Sequence, residues 1–292
     1  MHGIGPPLVT PFDEEGAVDE TRLREVVAWV TDRGVDFLVP CGSNSEAELL
    51  TAEERARVIE VVTEAADVPV LAGTGSPGLR ETLDATARAA EAGADAALVV
   101  TPFYYDHDQA TLRDYYREVA DAAEIPVYLY SVPAYTDVAL SPDTVASLAT
   151  HPNVAGMKDS TGDVARFVRT QRRVADADFE LVVGSGGVLA EALDAGAAGG
   201  VLALANVAPG PASRVFETHD TDPNAARSLA HELVALNHAV TAEHSVPGLK
   251  YAMRQRGAPA GHVRSPHQPI GDAARDRLDS LLEDLDDLVR DS

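Results

Sequence analysis

Lys158 is one of only two lysines among the 292 residues, and it ends the apolar run 153–158. Arginine supplies the remaining positive charge, so a lysine at the end of such a run calls for its own explanation. An amine can lose its proton and attack a ketone to form an imine, which a guanidinium cannot do. Chance survival of one lysine in an arginine-rich chain is the alternative. The groups that surround Lys158 must decide between the two.

Phenols, hydroxyls and glycines end the other apolar runs of the chain, Tyr130, Ser43 and Gly184 among them. An amine beside a phenol suits imine chemistry on a 2-oxo acid, because the amine attacks the ketone and the phenol moves protons. The residues that other common kinds of catalytic or binding site require are absent from the sequence. No histidine cluster has zinc spacing, no carboxylate pair has glycosidase spacing, and no Gly-Lys-Ser/Thr phosphate loop occurs.

These groups require a scaffold that brings distant strand ends together. Apolar runs of four to six residues, typical of strands buried on both faces, alternate with longer amphipathic segments. The predicted strands begin near Gly5, Asp36, Pro69, Ala96, Val127, Val154, Glu180 and Gly200. The predicted helices between them span 19–33, 51–66, 79–92, 110–123, 142–150 and 163–175.

Eight strand-and-helix units predict the α/β class and a (β/α)8 barrel over residues 1–220, in which active sites gather at the carboxyl ends of the strands. A doubly wound open sheet is the alternative, but six strands would be enough and no G-x-G-x-x-G follows the first strand. Beyond Asn206 the pattern is helical, over 222–240, 246–256 and 271–289. We interpret residues 221–292 as a carboxy-terminal helical extension.

Composition limits the partners and the location. The chain has 47 acidic residues against 23 lysines and arginines, a formal net charge of −24, so neither nucleic acid nor an anionic membrane is expected to bind. The acids are dispersed, which favours adaptation to a high-salt cytoplasm over an acidic binding tail. Cys41 is the only cysteine, no secretory signal is visible, and no run reaches the ~18 apolar residues of a membrane span, which together predict a cytoplasmic location.

The motifs in combination resemble those of the dihydrodipicolinate synthase and N-acetylneuraminate lyase family of pyruvate-dependent class I aldolases. Residues 42–46 (Gly-Ser-Asn-Ser-Glu) resemble the family's Gly-Thr/Ser-Thr-Gly-Glu loop, 130–133 (Tyr-Ser-Val-Pro) its Tyr-Asn-x-Pro, and 156–162 its Schiff-base strand. The resemblance covers essentially the whole chain. It implies an eight-fold barrel with a helical extension, usually assembled as a homotetramer, that works without metal or cofactor.

The resemblance also implies roles for single residues. Lys158 matches the imine-forming lysine, Tyr130 the general acid/base, and Ser43 with Asn44 the pair that binds the pyruvate carboxylate. Ser43 keeps the hydroxyl of the family's proton relay, and Tyr104 matches its second tyrosine, which often reaches across a subunit contact.

Gly184 and Leu202 match positions lining the pyruvyl group. Two other residues are not expected to take part in catalysis. We expect Cys41 to be a small buried residue, and Lys250, in the helical extension, to be structural or exposed to solvent.

Tyr135 is the departure that bears on the substrate. Dihydrodipicolinate synthases carry an arginine there, two residues after the proline, which grips the carboxylate of aspartate semialdehyde. A phenol instead suits a neutral, hydroxylated acceptor, so our first hypothesis is reversible cleavage of a 2-keto-3-deoxy sugar acid, such as 2-keto-3-deoxygluconate, to pyruvate and an aldehyde. The alternatives are the synthase reaction itself, a dehydratase that uses the same imine, and a non-catalytic, pyruvate-binding regulatory relative.

Overall fold

Seven parallel strands form one sheet in the structure, a computed structural model that describes residues 1–290. The strands are β1 (Gly3–Gly5), β2 (Leu71–Gly73), β3 (Ala96–Val100), β4 (Val127–Ser131), β5 (Val154–Asp159), β6 (Glu180–Val183) and β7 (Gly199–Val201). Their order in the sheet is β1-β7-β6-β5-β4-β3-β2. The α/β class is confirmed, and each of these strands lies at a predicted position.

The remaining predicted strand, at Asp36, is an extended segment that connects the two edges of the sheet. On one side Asp36 N donates to Ile4 O (2.8 Å) and Val39 N to Pro6 O (3.1 Å). On the other side Leu71 N donates to Leu38 O (2.8 Å), beside the parallel bridge between Leu38 and Val70. The edges β1 and β2 therefore both have hydrogen-bonded neighbours, and the sheet curls back on itself.

The helices pack around this sheet. They are α1 (Glu20–Thr31), α2 (Ala52–Ala65), α3 (Leu79–Glu91), α4 (Gln109–Ala122), α5 (Pro133–Thr136), α6 (Pro142–Leu148), α7 (Val164–Val174), α8 (Leu189–Asp194), α9 (Pro209–His219), α10 (Pro223–His238), α11 (Ser245–Gln255) and α12 (Asp272–Arg290). The nine predicted helices are confirmed to within two residues at each end. The short helices α5 and α8, together with α9, are additions.

Local sequence explains why the helices begin where they do. Thr51 Oγ1 accepts from Glu54 N while Thr51 N donates to the Glu54 carboxylate (2.9 Å), which is a capping box at the start of α2. Ser141 caps α6, whose first residue is Pro142. The division at residue 220 stays a prediction, and the last two residues of the proposed extension lie outside the described part of the chain.

Burial divides the apolar side chains into two groups. One fills the inside of the curled sheet and includes Phe37, Leu71, Tyr128 and Val201. The larger group lies between the sheet and the helices. Strands covered on both faces must be apolar along their whole length, so a polar residue such as Lys158 on β5 stands out. Within residues 1–290, no helix is both long and apolar enough to cross a bilayer.

Candidate active site

Lys158 and Tyr130 lie side by side because β4 and β5 are parallel neighbours in which these two residues are paired. The amine Nζ lies 4.3 Å from the centroid of the Tyr130 ring. Both side chains are buried, Lys158 with 4 % of its surface exposed and Tyr130 with 6 %. The sheet thus holds an amine against a phenol away from bulk solvent.

Ser43 extends this arrangement to a loop. It lies in a 3₁₀ turn, Ser43–Ser45, which follows the extended segment that closes the sheet. Ser43 Oγ lies 3.5 Å from Tyr130 Oη, and the turn is held by Ser45 Oγ, which accepts from Gly42 N (3.1 Å) and donates to Leu8 O. The amine, the phenol and the hydroxyl therefore form a chain of three groups.

The Tyr130 phenol is easier to ionise than a free tyrosine. Burial by itself disfavours the phenolate, but the positive charge of Lys158 and hydrogen bonds with Ser43 and Ser160 outweigh it, and the pKa of Tyr130 is lowered. A phenol with a lowered pKa gives up and regains a proton more readily near neutral pH, as a general acid/base should.

Gly184 makes room for the lysine at the end of β6. A Cβ at this position would lie 2.9 Å from Lys158 Cε and 1.8 Å from Ser160 Oγ. Since neither separation is tolerable, glycine is required for both side chains to occupy their places. Gly184 was expected at the site from the sequence, and the structure explains in steric terms why this residue is a glycine.

Two adjoining cavities open over these groups. The first, about 280 Å³, is lined by Lys158, Gly184 and Asn44, and the second, about 300 Å³, is mostly apolar. They share the lining residues Ser43, Tyr130, Val132, Tyr135 and Ser245. Tyr135 lies on α5 and is 63 % exposed at the opening. No arginine is among the residues, within 1–290, that line either cavity.

Two predicted site residues are not brought to the cavities. Leu202 is fully buried in the layer between sheet and helices, whereas its neighbours Val201 and Ala203 line the first cavity. The assignment of Leu202 was therefore wrong by one residue, because successive side chains of an extended chain point to opposite faces. Tyr104 lines neither cavity: it is 86 % exposed, adopts a left-handed φ of 79°, and packs edge-to-face on Tyr105 at 4.9 Å.

Lys250, the second lysine, is structural and completely buried, so a solvated position is excluded. Its Nζ donates to the Glu46 carboxylate, to Thr10 O (2.7 Å) and to His262 O (2.7 Å). Glu46 has a left-handed φ of 56° and directly follows the Ser43–Ser45 turn. Lys250 thereby ties the loop that carries Ser43 to the segment after β1 and to the carboxy-terminal part of the chain.

Cys41 precedes the same loop and is also structural. Burial raises the pKa of its thiol to about 12, so the group stays protonated at neutral pH and cannot act as a thiolate nucleophile.

Comparison with known proteins agrees with this geometry. The model of the dihydrodipicolinate synthetase family matches residues 1–285. The chain belongs to the dihydrodipicolinate synthetase family. Members are pyruvate-dependent carbon–carbon lyases that act through a Schiff base, and the chain is an enzyme of this class rather than a non-catalytic relative.

Similar family members agree over nearly their whole lengths. The 4-hydroxy-tetrahydrodipicolinate synthase of Methanothrix thermoacetophila is 36 % identical, with 100 % of this chain and 99 % of that protein covered. The protein of the same name from Haloarcula marismortui is 37 % identical, covering 98 % and 96 %. The crystal structure of chloride-inhibited dihydrodipicolinate synthase from Acinetobacter baumannii complexed with pyruvate is 33 % identical, covers 97 % and 98 %, and superposes with a TM-score of 0.92.

The family motifs do not reveal every group at the first cavity. Its far wall is formed by Asn237, Thr241, Ala242 and Ser245, from the end of α10 to the start of α11. The sequence predicts only an outer helical extension here, so these residues were not expected at the site. The one available signal was a buried asparagine within an otherwise apolar helical stripe, which is weak evidence without the fold.

Proposed function

We propose that this family member activates pyruvate as an imine on Lys158 and exchanges it with an aldehyde by reversible aldol chemistry. The observation that carries the proposal is the buried Lys158 amine, 4.3 Å from the ring of Tyr130, whose Oη lies 3.5 Å from Ser43 Oγ. A neutral amine, a proton-transferring phenol and a relay hydroxyl are the groups that imine formation needs.

The proposed steps use these groups in order. The Lys158 nitrogen attacks C2 of pyruvate, and as the imine forms the two protons of the neutral amine pass by way of Tyr130 to the ketone oxygen, which leaves as water. Loss of a proton from C3 yields an enamine. In condensation the enamine carbon forms a bond with the aldehyde carbon, whose oxygen takes up a proton; in cleavage the same bond breaks. Water then releases the product and restores the free amine.

Ser43 and Asn44 are proposed to hold the pyruvate carboxylate. Both line the first cavity beside Lys158, and hydroxyl, amide and backbone N–H groups are suitable partners for a carboxylate. Tyr104 is proposed to complete the relay of a second copy of the chain, in a homotetramer: it is 86 % exposed and its backbone is left-handed, a strained conformation that clusters at functional sites.

Two features of the scaffold complete the proposal. We infer a closed barrel with eight strand positions, in which the extended segment at residues 36–40 is the second, followed by the helical extension. We also place the enzyme in the cytoplasm. The segment's hydrogen bonds to both sheet edges support the first inference, and the single buried cysteine is compatible with the second.

For the aldehyde, the relatives favour aspartate semialdehyde. Those reported above share 36 % and 37 % identity and are called 4-hydroxy-tetrahydrodipicolinate synthase. Their names support the synthase reaction better than the sugar-acid cleavage that the sequence analysis put first. We therefore propose the synthase reaction as the first candidate.

Cleavage of a 2-keto-3-deoxy sugar acid remains a second candidate because of one observation at the cavity mouth. Tyr135 lies there, and no arginine lines either described cavity. Without a guanidinium the acceptor carboxylate lacks a bidentate partner, and hydrogen bonds to charged groups contribute ~1.5–3 kcal/mol each. A neutral, hydroxylated aldehyde needs no such partner.

Borohydride reduction tests the shared first step. With pyruvate present, it should add the mass of the reduced pyruvyl group to the peptide containing Lys158, and the K158R variant should remain unmodified. Wild-type protein that gains no mass at Lys158 would contradict the proposed function, whichever aldehyde is used.

A side-by-side assay decides between the two aldehydes. Condensation of pyruvate with aspartate semialdehyde and cleavage of 2-keto-3-deoxygluconate are measured in the same high-salt buffer, with wild type and Tyr135→Arg. We expect Y135R to raise kcat/KM for the semialdehyde about tenfold or more, since one charged hydrogen bond is worth ~1.5–3 kcal/mol. An unchanged preference would show that position 135 does not select the substrate; Tyr105→Arg, on a neighbouring loop outside the cavities, is the control for added charge.

A further inference from the structure

The far wall of the catalytic cavity comes from the carboxy-terminal helices. Asn237, near the end of α10, and Ser245, the first residue of α11, line the same 280 Å³ space as Lys158. Between the two helices the chain forms a π-helical turn, Ala239–Glu243. Such turns are rare and frequently occur at functional sites. This wall and the groups proposed to activate pyruvate thus line one cavity.

Asn237 is the group on this wall whose hydrogen bonding is incomplete. Its side chain is 7 % exposed, and its Oδ1 has no hydrogen-bond partner among the described residues. A buried carbonyl oxygen without a partner is unfavourable, so a ligand that donates a hydrogen bond to it would bind more tightly. Nearby hydroxyls do not supply the missing hydrogen: that of Thr241 donates instead to the Asn237 backbone oxygen, at 2.6 Å.

The loop that follows β6 is in contact with the Asn237 amide and leaves room for it. A Cβ on Gly186 would lie 2.5 Å from Oδ1, so glycine at 186 allows the amide to approach the end of β6. Gly186 follows Gly184, which makes room for Lys158 by the same means. Two glycines of one loop thus admit the amine from β5 and the amide from α10.

We propose that Asn237 determines acceptor specificity, its Oδ1 accepting a hydrogen bond from a hydroxyl or ammonium group of the aldehyde substrate. The inference rests on the proposed function, because it concerns the partner of the pyruvate enamine. The shared chemistry is a hydrogen-bond donor close to the aldehyde carbon. A sugar-derived aldehyde offers a hydroxyl there, and aspartate semialdehyde offers its ammonium.

Asn237→Leu removes the acceptor oxygen while keeping a side chain of similar size. The variant is assayed with two matched pairs of aldehydes: glyceraldehyde against propanal, which lacks the hydroxyls, and aspartate semialdehyde against succinic semialdehyde, which lacks the ammonium. Wild type should prefer the donor-bearing member of one pair about tenfold or more in kcat/KM, and N237L should lose that preference. The pair that responds identifies the donor as hydroxyl or ammonium.

Asn237→Asp keeps the acceptor oxygen and is the second variant. It should retain the preference of wild type, and should strengthen it if the donor is ammonium, because the carboxylate adds charge attraction. Asn224→Leu is the matched control: the same residue type on the same helix, but exposed and bonded to Arg227. It should behave as wild type.

Borohydride trapping of pyruvate at Lys158 separates this inference from the proposed function. Trapping should still occur in wild type, N237L and N237D, since the proposal gives Asn237 a contact with the second substrate and none with pyruvate. If trapping is normal and N237L discriminates within both aldehyde pairs as wild type does, Asn237 has no role in specificity while the imine mechanism stands. If wild type itself traps no pyruvate, the failure lies in the proposed function.

Discussion

A lysine on one strand makes a tyrosine on the neighbouring strand more acidic at this site. The positive charge of Lys158 lowers the pKa of Tyr130 against the effect of burial, and the parallel register of β4 and β5 keeps the pair in contact. Tyr128 provides an internal comparison, because it lies two residues earlier on the same strand and points into the same interior. There burial and the Glu180 carboxylate raise the pKa of the phenol.

Tyr130→Phe should therefore lower kcat about 10²–10⁴-fold, the usual contribution of a positioned acid/base, with little loss of stability. Tyr128→Phe is the control and should lower stability while leaving the activity almost unchanged. It loses a hydrogen bond to Glu180, so the free energy of unfolding should fall by about 1 kcal/mol while kcat stays within about twofold. Steady-state kinetics and urea unfolding of both variants test this. Comparable activity in the two variants would remove Tyr130 from the mechanism.

The site residues at strand ends could be predicted from the sequence because a parallel sheet brings the carboxyl ends of its strands together at one edge. Lys158, Tyr130, Ser43, Asn44 and Gly184 all meet at the first cavity. Leu202 directly follows the three-residue strand β7 and was misplaced because a one-residue shift along an extended chain moves the side chain to the other face. Contacts between distant segments leave no such periodic trace.

At the scale of elements, the loop 42–46 depends on a partner about 200 residues further along the chain. Glu46 and Lys250 form a fully buried ion pair, and Glu46 also accepts from Arg264 N (2.9 Å). The hydrophobic pattern predicted helix α11 to within one residue, yet the pattern of one helix cannot indicate which distant loop its buried lysine contacts. The same reason explains why Asn237 went unnoticed on α10.

Lys250→Met should destabilise the protein by about 3–5 kcal/mol, because the Glu46 charge stays buried without its partner. It should also raise the KM for pyruvate, since the loop carrying Ser43 loses its anchor. The double variant K250M/E46Q should recover much of the stability, because replacing both members of a buried pair is often nearly neutral. Urea unfolding and pyruvate titration measure the two effects.

The exposed pair of Arg24 and Glu64 (2.9 Å) supplies the control. Breaking it with Arg24→Met should cost at most about 1 kcal/mol, as solvent-exposed pairs do. If K250M proves no more costly than R24M, the buried pair does not hold the loop.

For the whole molecule, we expect the net charge of −24 to make the stability of the fold depend on the salt concentration. Helix α12 shows how the charge is arranged: Leu278, Leu281, Leu282 and Leu285 face the core, while the other side of the helix carries exposed carboxylates. The core pattern was readable from the sequence because it depends on helical period alone. The effect of the net charge on stability depends on the salt concentration of the solvent, so it cannot be predicted from the sequence or the fold alone.

Salt should raise the melting temperature, because repulsion among the exposed acids is screened as the Debye length shrinks from about 10 Å at 0.1 M to about 3 Å at 1 M. We expect a rise of about 5 °C or more between 0.1 and 2 M KCl, equivalent to ~3 kcal/mol for a chain of this size. Neutralising three exposed acids of α12 in the variant D276N/E283Q/D284N should raise the melting temperature at 0.1 M and reduce the further gain from KCl. Scanning calorimetry of both proteins across KCl concentrations measures this. Equal salt responses in the two proteins would indicate that salt acts through hydrophobic packing rather than charge, and a flat response in wild type would exclude the high-salt adaptation.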